Sequence, residues 1–443
     1  MNHFLQNRTS WYLVFACIPF LGSRLDAQQS TMAFTNAHVI PVEGNEIPNG
    51  TLVVNNGKVV AVGPVDQVSI PDGATVVDST GKVIMPGLIC THSHVGGVGA
   101  ADGSHPIQPG VRVYDSINVH NSGFRRALAG GLTTLNIMPG SGHLSSGQTV
   151  YVKLRFTDGA APSTIDSLLY RFPDGTPAGG LKMANGTNPQ GETPFPGTRG
   201  RSAYLVRQTF VRAQEYQKKI ALAAGDATKV PPRDLDLETL VEVMEGKRVV
   251  HHHTHRHDDI MTVLRLSKEF GFRVVLHHIT EGWKIPKEIA ESGAPCSVIL
   301  LDSPGGKHEA IHLRYDTGKI LDDEGVLVAF HTDDYITDSR VFFRMAAFAV
   351  RGGLPRDKAF KSLTLAGAQM LELDKKVGSL VAGKDADFVV LNGDPLSVYS
   401  KVLETWVEGN KVFDRSNPKD RLYAVGGAGA SNDVFPYFCC FGQ

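Results

Sequence analysis

Histidines recur in this chain at the ends of apolar segments that have the length of β-strands. The first such segment, residues 83–89, is interrupted only by Pro86-Gly87 and ends at His92 and His94. Alternate residues of a strand share a face, so these two imidazoles point the same way and can bind one metal ion. A pair of surface histidines at a strand end is the competing interpretation, because a two-residue motif needs supporting context.

That context is present further along the chain. Seven of the 17 histidines lie between residues 251 and 278, directly after the apolar residues 249–250 and 274–276. A later apolar segment, residues 326–330, ends at His331 and Asp333. Neutral imidazoles and carboxylates at the carboxyl ends of successive strands are the donor groups of a catalytic metal site in a barrel. The seven clustered histidines are His251, His252, His253, His255, His257, His277 and His278.

Between residues 86 and 375, strand-like segments alternate with helix-like ones, which favours a parallel α/β sheet or barrel. The interval is close to the roughly 250 residues of a (β/α)8 barrel. A helix is predicted over residues 202–224, after a loop rich in Gly, Pro and Asn. Beyond the strand that ends at His94, strands are predicted over 133–137, 148–154, 179–183, 248–253, 272–278, 296–301 and 326–331.

The flanking residues 28–85 and 376–420 have the pattern of short strands and turns. Near the start, apolar residues 51–54 and 58–62 lie on either side of Asn56-Gly57, which is a strong hairpin signal. Each flank is too small to bury a core by itself.

Composition excludes several classes of partner. The net charge of −1 gives no indication of a nucleic acid or an anionic membrane surface as partner. The five cysteines are too few and too scattered for a disulfide framework. No internal segment has the ~18 apolar residues of a membrane helix. The sequence leaves open whether the protein forms a homo-oligomer.

Residues 1–27 have the layout of a secretory signal peptide, with a basic residue, an apolar stretch and small residues before the cleavage site. This pattern predicts export, to the periplasm or the medium. Lipid attachment at Cys17 is the less favoured alternative. Residues 421–443 form a C-terminal tail, in which Cys439 and Cys440 have no assigned role.

Taken together, the motifs resemble the amidohydrolase superfamily, and within it the imidazolonepropionase-like and prolidase-like hydrolases. The resemblance rests on PGLICTHSH, HHHTHRHDD, LHHITEG, FHTDD and GSLVAGKDADFVVLNGDP, and extends from about residue 33 to about residue 413. It implies a (β/α)8 TIM-type barrel over residues 86–375. It also implies a small composite β-sandwich formed by the flanks 28–85 and 376–420.

The resemblance further implies a centre for one or two divalent ions, with zinc the expected metal. On the fifth strand His255 competes with His253 as the ligand, and the choice stays open. A carbamate formed from Lys182 and CO₂ would bridge two ions, whereas an ordinary buried lysine is the alternative. The residues that match the family's metal ligands are His92, His94, Lys182, His253, His278 and Asp333.

Neighbouring residues receive other predicted roles. His277 is expected to point away from the site, Asp334 to be a loop or helix-cap residue, and Cys90 to pack behind His92. His143 lies in a Gly/Ser-rich loop near the predicted pocket and has no assigned chemistry. A guanidinium near the mouth could hold a substrate carboxylate, although solvated surface arginines are the commoner case. The residues considered there are Arg112, Arg199, Arg201 and Tyr204.

The implied activity is metal-dependent hydrolysis of a carbon–nitrogen bond in a small amide, cyclic amide or peptide-like substrate. Asp333 would accept and return the proton, and His255 or His331 would stabilise the oxyanion. The first alternative is a mononuclear deaminase or an imidazolonepropionase-type cyclic amidase. Those relatives carry Glu three residues after the strand-five histidine, where this chain has Arg256 and, two further on, Asp258. The second alternative is a non-catalytic scaffold, which the retained ligand set disfavours.

Overall fold

The structure is a computed structural model that describes residues 31–98, 101–156, 160–300, 307–334 and 336–426. The predicted signal peptide with Cys17, and the tail cysteines Cys439 and Cys440, lie outside these residues. Within the described ranges, none of the helices combines the length and the hydrophobicity needed to cross a bilayer.

The strands are β1 (Met32–Val39), β2 (Ile47–Asn55), β3 (Lys58–Pro64), β4 (Thr75–Asp78), β5 (Val83–Pro86), β6 (Leu88–Ser93), β7 (Leu132–Ile137), β8 (Ser145–Gln148), β9 (Val150–Lys153), β10 (Leu181–Ala184), β11 (Val250–Thr254), β12 (Val274–His278), β13 (Cys296–Val298), β14 (Val328–Phe330), β15 (Phe388–Leu391), β16 (Val402–Val407) and β17 (Asn410–Asp414). The helices are α1 (Ser122–Ala129), α2 (Arg199–Ala223), α3 (Leu235–Met244), α4 (His257–Phe270), α5 (Pro286–Ser292), α6 (Thr317–Asp323), α7 (Phe343–Arg351), α8 (Arg356–Leu363), α9 (Leu365–Met370) and α10 (Pro418–Val425).

The two flanks of the chain form one eight-stranded sheet, in the order β17-β16-β15-β5-β1-β2-β3 with β4 beside β1. Strand β5 connects them, since it pairs with β1 in parallel and with β15 antiparallel. The hairpin predicted at Asn56-Gly57 joins β2 and β3, and both turn residues have positive φ, as a type I′ turn requires. Phe34, Phe388 and Trp406 pack together in its core, with ring centroids 5.1–5.4 Å apart. The flanks therefore combine in one hydrogen-bonded sheet, and their arrangement as a β-sandwich remains a prediction.

The strands that carry the histidines form two further sheets. One has the order β14-β13-β12-β11-β10-β8 and the other β6-β7-β9. Strands β10 to β14 are parallel, as are β6 and β7. The expectation of a (β/α)8 barrel is thus met in part: parallel strands alternate with helices, but the hydrogen-bonded ladders of the described residues do not close into one ring.

The reason lies in the third predicted strand, residues 148–154. The chain divides there at Thr149, so that β8 pairs antiparallel with β10 and β9 pairs antiparallel with β7. This segment connects the two sheets instead of continuing a parallel ladder. At the opposite edge the sheets meet through one backbone hydrogen bond, from Asp333 N to His92 O at 3.0 Å.

A buried ionic cluster joins the eight-stranded sheet to the barrel strands. Lys153 of β9 is fully buried, and its Nζ contacts Asp385 and lies 3.0 Å from Asp387 and 3.3 Å from Glu408. Lys58 pairs with Asp385 at 2.5 Å, and Arg155 pairs with both oxygens of Glu408. Three cations thus face three carboxylates, which we call the Lys153 cluster. The domain boundaries at 85/86 and 375/376 remain predictions.

Candidate metal centre

Three side chains converge on one point where β6 meets the end of β14. His92 Nε2 lies 3.3 Å from His94 Nε2, and Asp333 Oδ1 lies 3.3 Å and 3.0 Å from these two nitrogens. All three residues are buried. Zinc–nitrogen bonds of about 2.0–2.1 Å place the donors of a tetrahedron roughly 3.3–3.4 Å apart, so the spacing is that of metal ligands around one ion. We call these residues the metal triad.

The hydrogen bonds of the triad fit a cation at its centre. His94 Nδ1 donates to the carbonyl of Met138 at 2.7 Å, which fixes the ring as it is fixed in many metal-ligating histidines. His94 Nε2 can therefore face the Asp333 carboxylate only with a second proton, or with a cation between the two atoms. Burial, reinforced by the charge of Lys182, lowers the pKa of His92 well below its usual value and keeps this imidazole neutral. Neutral imidazoles and a carboxylate are the donor set that zinc prefers.

Asp333 is held in place by its backbone. Its φ is +50°, a left-handed conformation that Asp tolerates better than most residues, and its N–H donates to His92. Burial acts to raise the pKa of Asp333, but the hydrogen bond with His94 and the positive charges nearby outweigh it and lower the pKa to about 2. The side chain is therefore a carboxylate at neutral pH.

Lys182 of β10 is fully buried beside the triad. Its Nζ lies 3.1 Å from His92 Nε2 and 3.3 Å from the sulfur of Met138. The predicted ligand is thus adjacent to the triad.

The two strand-five candidates differ in their partners. His253 Nε2 lies 3.0 Å from Lys307 Nζ. His255 Nδ1 lies 2.8 Å from the hydroxyl of Thr280, and its buried Nε2 has no hydrogen-bond partner among the described residues. For both histidines, burial followed by the charge of Lys307 lowers the pKa well below the usual value. Lys307 was not identified from the sequence, because the residues around it carry no distinctive sequence signal.

The expectation that His277 points away from the site is wrong. Its ring lies 5.0 Å from that of His92, and His92, His277 and His331 form a second group whose donor atoms lie within 4.8 Å of one another. The reason is that His278 and Ile279 have φ of +68° and +42°, so the alternation of faces fails at the end of β12. Both histidines of this strand consequently lie in the cluster.

The second group is a weaker candidate for a metal. His331 has partners on both nitrogens, Ser297 Oγ at 2.8 Å and His278 Nδ1 at 3.1 Å. His277 Nε2 lies 3.0 Å from His251 Nδ1. A neutral imidazole has one acceptor nitrogen, so His92 serves one group at a time, and the group with a carboxylate compensates the charge of a dication better.

Two neighbours of the triad are structural. Asp334 lies in the turn after β14, as the sequence predicted for a loop residue, and is buried. It accepts hydrogen bonds from Ser93 (2.5 Å) and Thr332 (2.9 Å) and a further one from Ser339, so it ties the ends of β6 and β14 together. Cys90 Sγ donates to the carbonyl of His92 at 3.0 Å, and burial raises the pKa of its thiol to about 12. The thiol remains protonated.

The residues predicted near the mouth separate into two kinds. Arg112 is exposed and pairs with Asp115, and Arg201 lies over the ring of the exposed Tyr204. Arg199, at the start of α2, instead pairs with the buried residues Asp259 (2.9 Å) and Glu309 (2.5 Å).

His143 is also buried near this region. Its ring packs edge-to-face on Phe195, and neither of its nitrogens has a hydrogen-bond partner among the described residues. The sequence placed this histidine in a loop near the pocket but supplied no chemistry for it.

Comparison with known proteins agrees with this geometry. The profile of the amidohydrolase family matches residues 171–413, more than half of the chain. The crystal structure of an amidohydrolase from Thermotoga maritima MSB8 is 34% identical, with a TM-score of 0.79 over 87% of this chain and 100% of that one. The structure of an adenosine deaminase from Xanthomonas campestris with bound zinc is 18% identical, with a TM-score of 0.51 over 86% of this chain and 92% of that one, and shows likeness of fold.

A curated relative, the amidohydrolase tasK of Hapsidospora irregularis, is 27% identical over 393 residues. The alignment covers 82% of this chain but only 40% of that protein, so the chain spans less than half the length of this relative. The family profile and the Thermotoga structure together show that this chain belongs to the amidohydrolase family.

Proposed function

We propose that the protein is a metal-dependent hydrolase that cleaves a carbon–nitrogen bond in a small amide, cyclic amide or peptide-like substrate. The observation that carries the proposal is the convergence of His92, His94 and Asp333 on one point at distances of 3.0–3.3 Å. A divalent ion bound there, with zinc the expected metal, would polarise the substrate carbonyl and lower the pKa of water.

Asp333 is the proposed proton carrier. Its low pKa keeps it ionised, so it can accept a proton from the attacking water. Because it is a weak base, it passes that proton on to the leaving nitrogen. His94, oriented by the Met138 carbonyl, holds the same carboxylate in place.

We assign the stabilisation of the oxyanion to His255 rather than to His331. When the hydroxyl of Thr280 donates to Nδ1 of His255, the buried Nε2–H remains available to a developing negative charge. His331 uses both nitrogens within the cluster and so orients His278.

The proposal has three further parts, which concern Lys182, the barrel and export. Addition of CO₂ to the neutral amine of Lys182, with release of a proton, would give a carbamate beside His92. The two sheets of histidine-bearing strands would be the halves of one barrel. Cleavage of the signal peptide would export the protein, and sequencing of the mature N-terminus should then begin near Gln28.

The activity is tested by a hydrolysis screen of N-acyl amino acids, dipeptides and cyclic ureides with metal-replete protein. We expect turnover that a chelator removes and added zinc restores. Ammonia is measured separately, so that a deaminase is distinguished from an amidase. Metal-replete protein that hydrolyses no member of the panel, and releases no ammonia from aminated bases, would contradict the proposal.

A further inference from the structure

We propose that Tyr151 positions the triad residue His92 from a distance, through a chain of hydrogen bonds that passes through His251 and His277. The proposal rests on the proposed function and deepens it, because it identifies what holds the one triad side chain that has no hydrogen-bonded support of its own.

The three triad residues differ in how they are held. The carbonyl of Met138 fixes the ring of His94, and a backbone hydrogen bond fixes Asp333. Metal-ligating histidines usually donate their second ring N–H to an acceptor in the same way. In His92 that nitrogen is Nδ1, which is buried and has no hydrogen-bond partner among the described residues. Another kind of contact must therefore orient this ring.

The ring of His92 is held by the imidazoles around it. It stacks on His331, with centroids 5.0 Å apart and an angle of 21° between the planes. His277 meets it edge-on, at 5.0 Å and 83°. The other two neighbouring rings belong to the predicted ligands His94 and His278. The orientation of His92 thus depends on what holds His331 and His277.

His331 is held by the hydroxyl of Ser297, whereas His277 is held by a longer chain. Its Nε2 lies 3.0 Å from Nδ1 of His251, and Nε2 of His251 lies 3.0 Å from the hydroxyl of Tyr151. All the members of this chain are buried. Gly180 leaves room for the middle ring, since a Cβ there would lie 2.5 Å from Cδ2 of His251.

The hydroxyl of Tyr151 sets the direction of the chain. Burial raises the pKa of Tyr151 above its usual value, so the hydroxyl keeps its proton. Within the described part of the chain His251 is its only hydrogen-bond partner, so an accepting hydroxyl would leave its own buried proton without an acceptor. Tyr151 therefore donates to Nε2 of His251, which carries its proton on Nδ1 and donates it to Nε2 of His277. One hydroxyl thus fixes the tautomers and the orientations of two imidazoles.

A second tyrosine provides a matched control. Tyr170 belongs to the same apolar cluster as Tyr151, is equally buried, and also has a hydroxyl with one hydrogen bond, to Thr134 at 2.9 Å. That bond does not lead to a histidine. Tyr151→Phe and Tyr170→Phe each remove one buried hydroxyl, and only the first breaks the chain to the metal triad.

The test is the affinity for zinc, measured by competition with a chromophoric chelator. Tyr151→Phe should weaken zinc binding about 10-fold, the lower end of the range for outer partners of a metal ligand. Tyr170→Phe should leave it unchanged, although both variants should lose similar stability in urea. His251→Leu breaks the chain at its next member and should weaken zinc binding at least as much as Tyr151→Phe. Cobalt bound in place of zinc should have an altered visible spectrum in Tyr151→Phe and the wild-type spectrum in Tyr170→Phe.

Nitrogen NMR of the metal-free protein, labelled with ¹⁵N at histidine, tests the chain without any metal. His251 and His277 should carry their protons on Nδ1 in the wild type, and His251 should lose this preference in Tyr151→Phe. Unchanged zinc affinity in folded Tyr151→Phe, or an equal loss in Tyr170→Phe, would overturn the proposal. Wild type that binds zinc and hydrolyses nothing contradicts the proposed function but leaves the comparison of the two tyrosines intact.

Discussion

The histidine cluster is buried, as are Lys153, Asp385 and Asp387 at the centre of the Lys153 cluster, but the polar atoms of the two clusters are paired differently. Around Lys153, three cations face three carboxylates at contact distance. In the histidine cluster, buried nitrogens of His92, His253, His255, His277 and His278 have no hydrogen-bond partner among the described residues. Buried polar atoms normally have partners, and exceptions concentrate at functional sites. We therefore expect substitutions in the histidine cluster to affect activity most, and substitutions in the Lys153 cluster to affect the free energy of unfolding most.

The largest effect is expected from His94→Ala, which removes a triad ligand and should leave the fold intact. The loss of metal affinity should exceed the 10–100-fold that loss of an outer partner of a ligand costs, and hydrolysis should disappear with the metal. Elemental analysis checks it, with the exposed His120→Ala as control. Full metal content in His94→Ala would show that the triad is not the centre.

Asp333→Asn tests the proton carrier and should have the next largest effect. The amide keeps the shape of the side chain but cannot accept a proton, so turnover per bound metal should fall about 10²–10⁴-fold. The exposed Asp323→Asn serves as the control for a surface change of the same type. Turnover close to that of the wild type would rule out the assigned role.

Lys153→Met breaks the other cluster. Removing one partner of a buried ion pair costs roughly 3–5 kcal/mol, because it leaves Asp385 and Asp387 without their buried cation. Unfolding in urea measures the loss, and the partly exposed Lys411→Met should cost at most about 1 kcal/mol. The folded fraction should keep its metal. A loss of metal without a loss of stability would reverse the comparison.

The smallest effect per residue concerns pH, and the two clusters should respond at opposite ends of the scale. Burial lowers the pKa of His251, His252 and His331 to about 3, so the folded state binds fewer protons than the unfolded chain below about pH 6.5. Each such histidine removes up to about 1.4 kcal/mol of stability per pH unit as the pH falls further.

For Lys153, burial lowers the pKa but the surrounding carboxylates raise it above its ordinary value, so its contribution is present at neutral pH and disappears only in strong alkali. Urea unfolding of metal-free protein above and below about pH 6.5 measures how much the buried histidines lower the free energy of unfolding in acid. Equal stability at both pH values would show that the buried histidines take up protons without unfolding.

Strand alternation was enough to predict His92 and His94 as neighbours on one face, whereas the position of Asp333 beside them was implied by the resemblance to the amidohydrolase superfamily. The same rule failed at His277, because two consecutive left-handed residues cancel the alternation at the end of β12. Sequence patterns do not reveal such a local backbone change unless glycine or asparagine marks it.

Contacts between distant elements were beyond the sequence patterns for a different reason. Lys153 lies in an apolar strand, and its partners lie more than 200 residues later. Lys307 lies 3.0 Å from His253, although 54 residues separate the two in the sequence. Neither lysine differs in sequence from a surface lysine, because what defines each of them is the tertiary packing.

The pairing of β5 with β15 sets an order of events during synthesis. Strands β1 to β5 leave the ribosome early, but the partner that completes their sheet is made only when nearly the whole chain has emerged. Lys58 and Asp385, which join the same two flanks, are 327 residues apart. At about 5–20 residues per second, the first strands wait tens of seconds with an unpaired edge. Such long-range pairing is slow to form. Until the C-terminal strands have been made, the unpaired edge of the N-terminal strands is exposed and prone to aggregation.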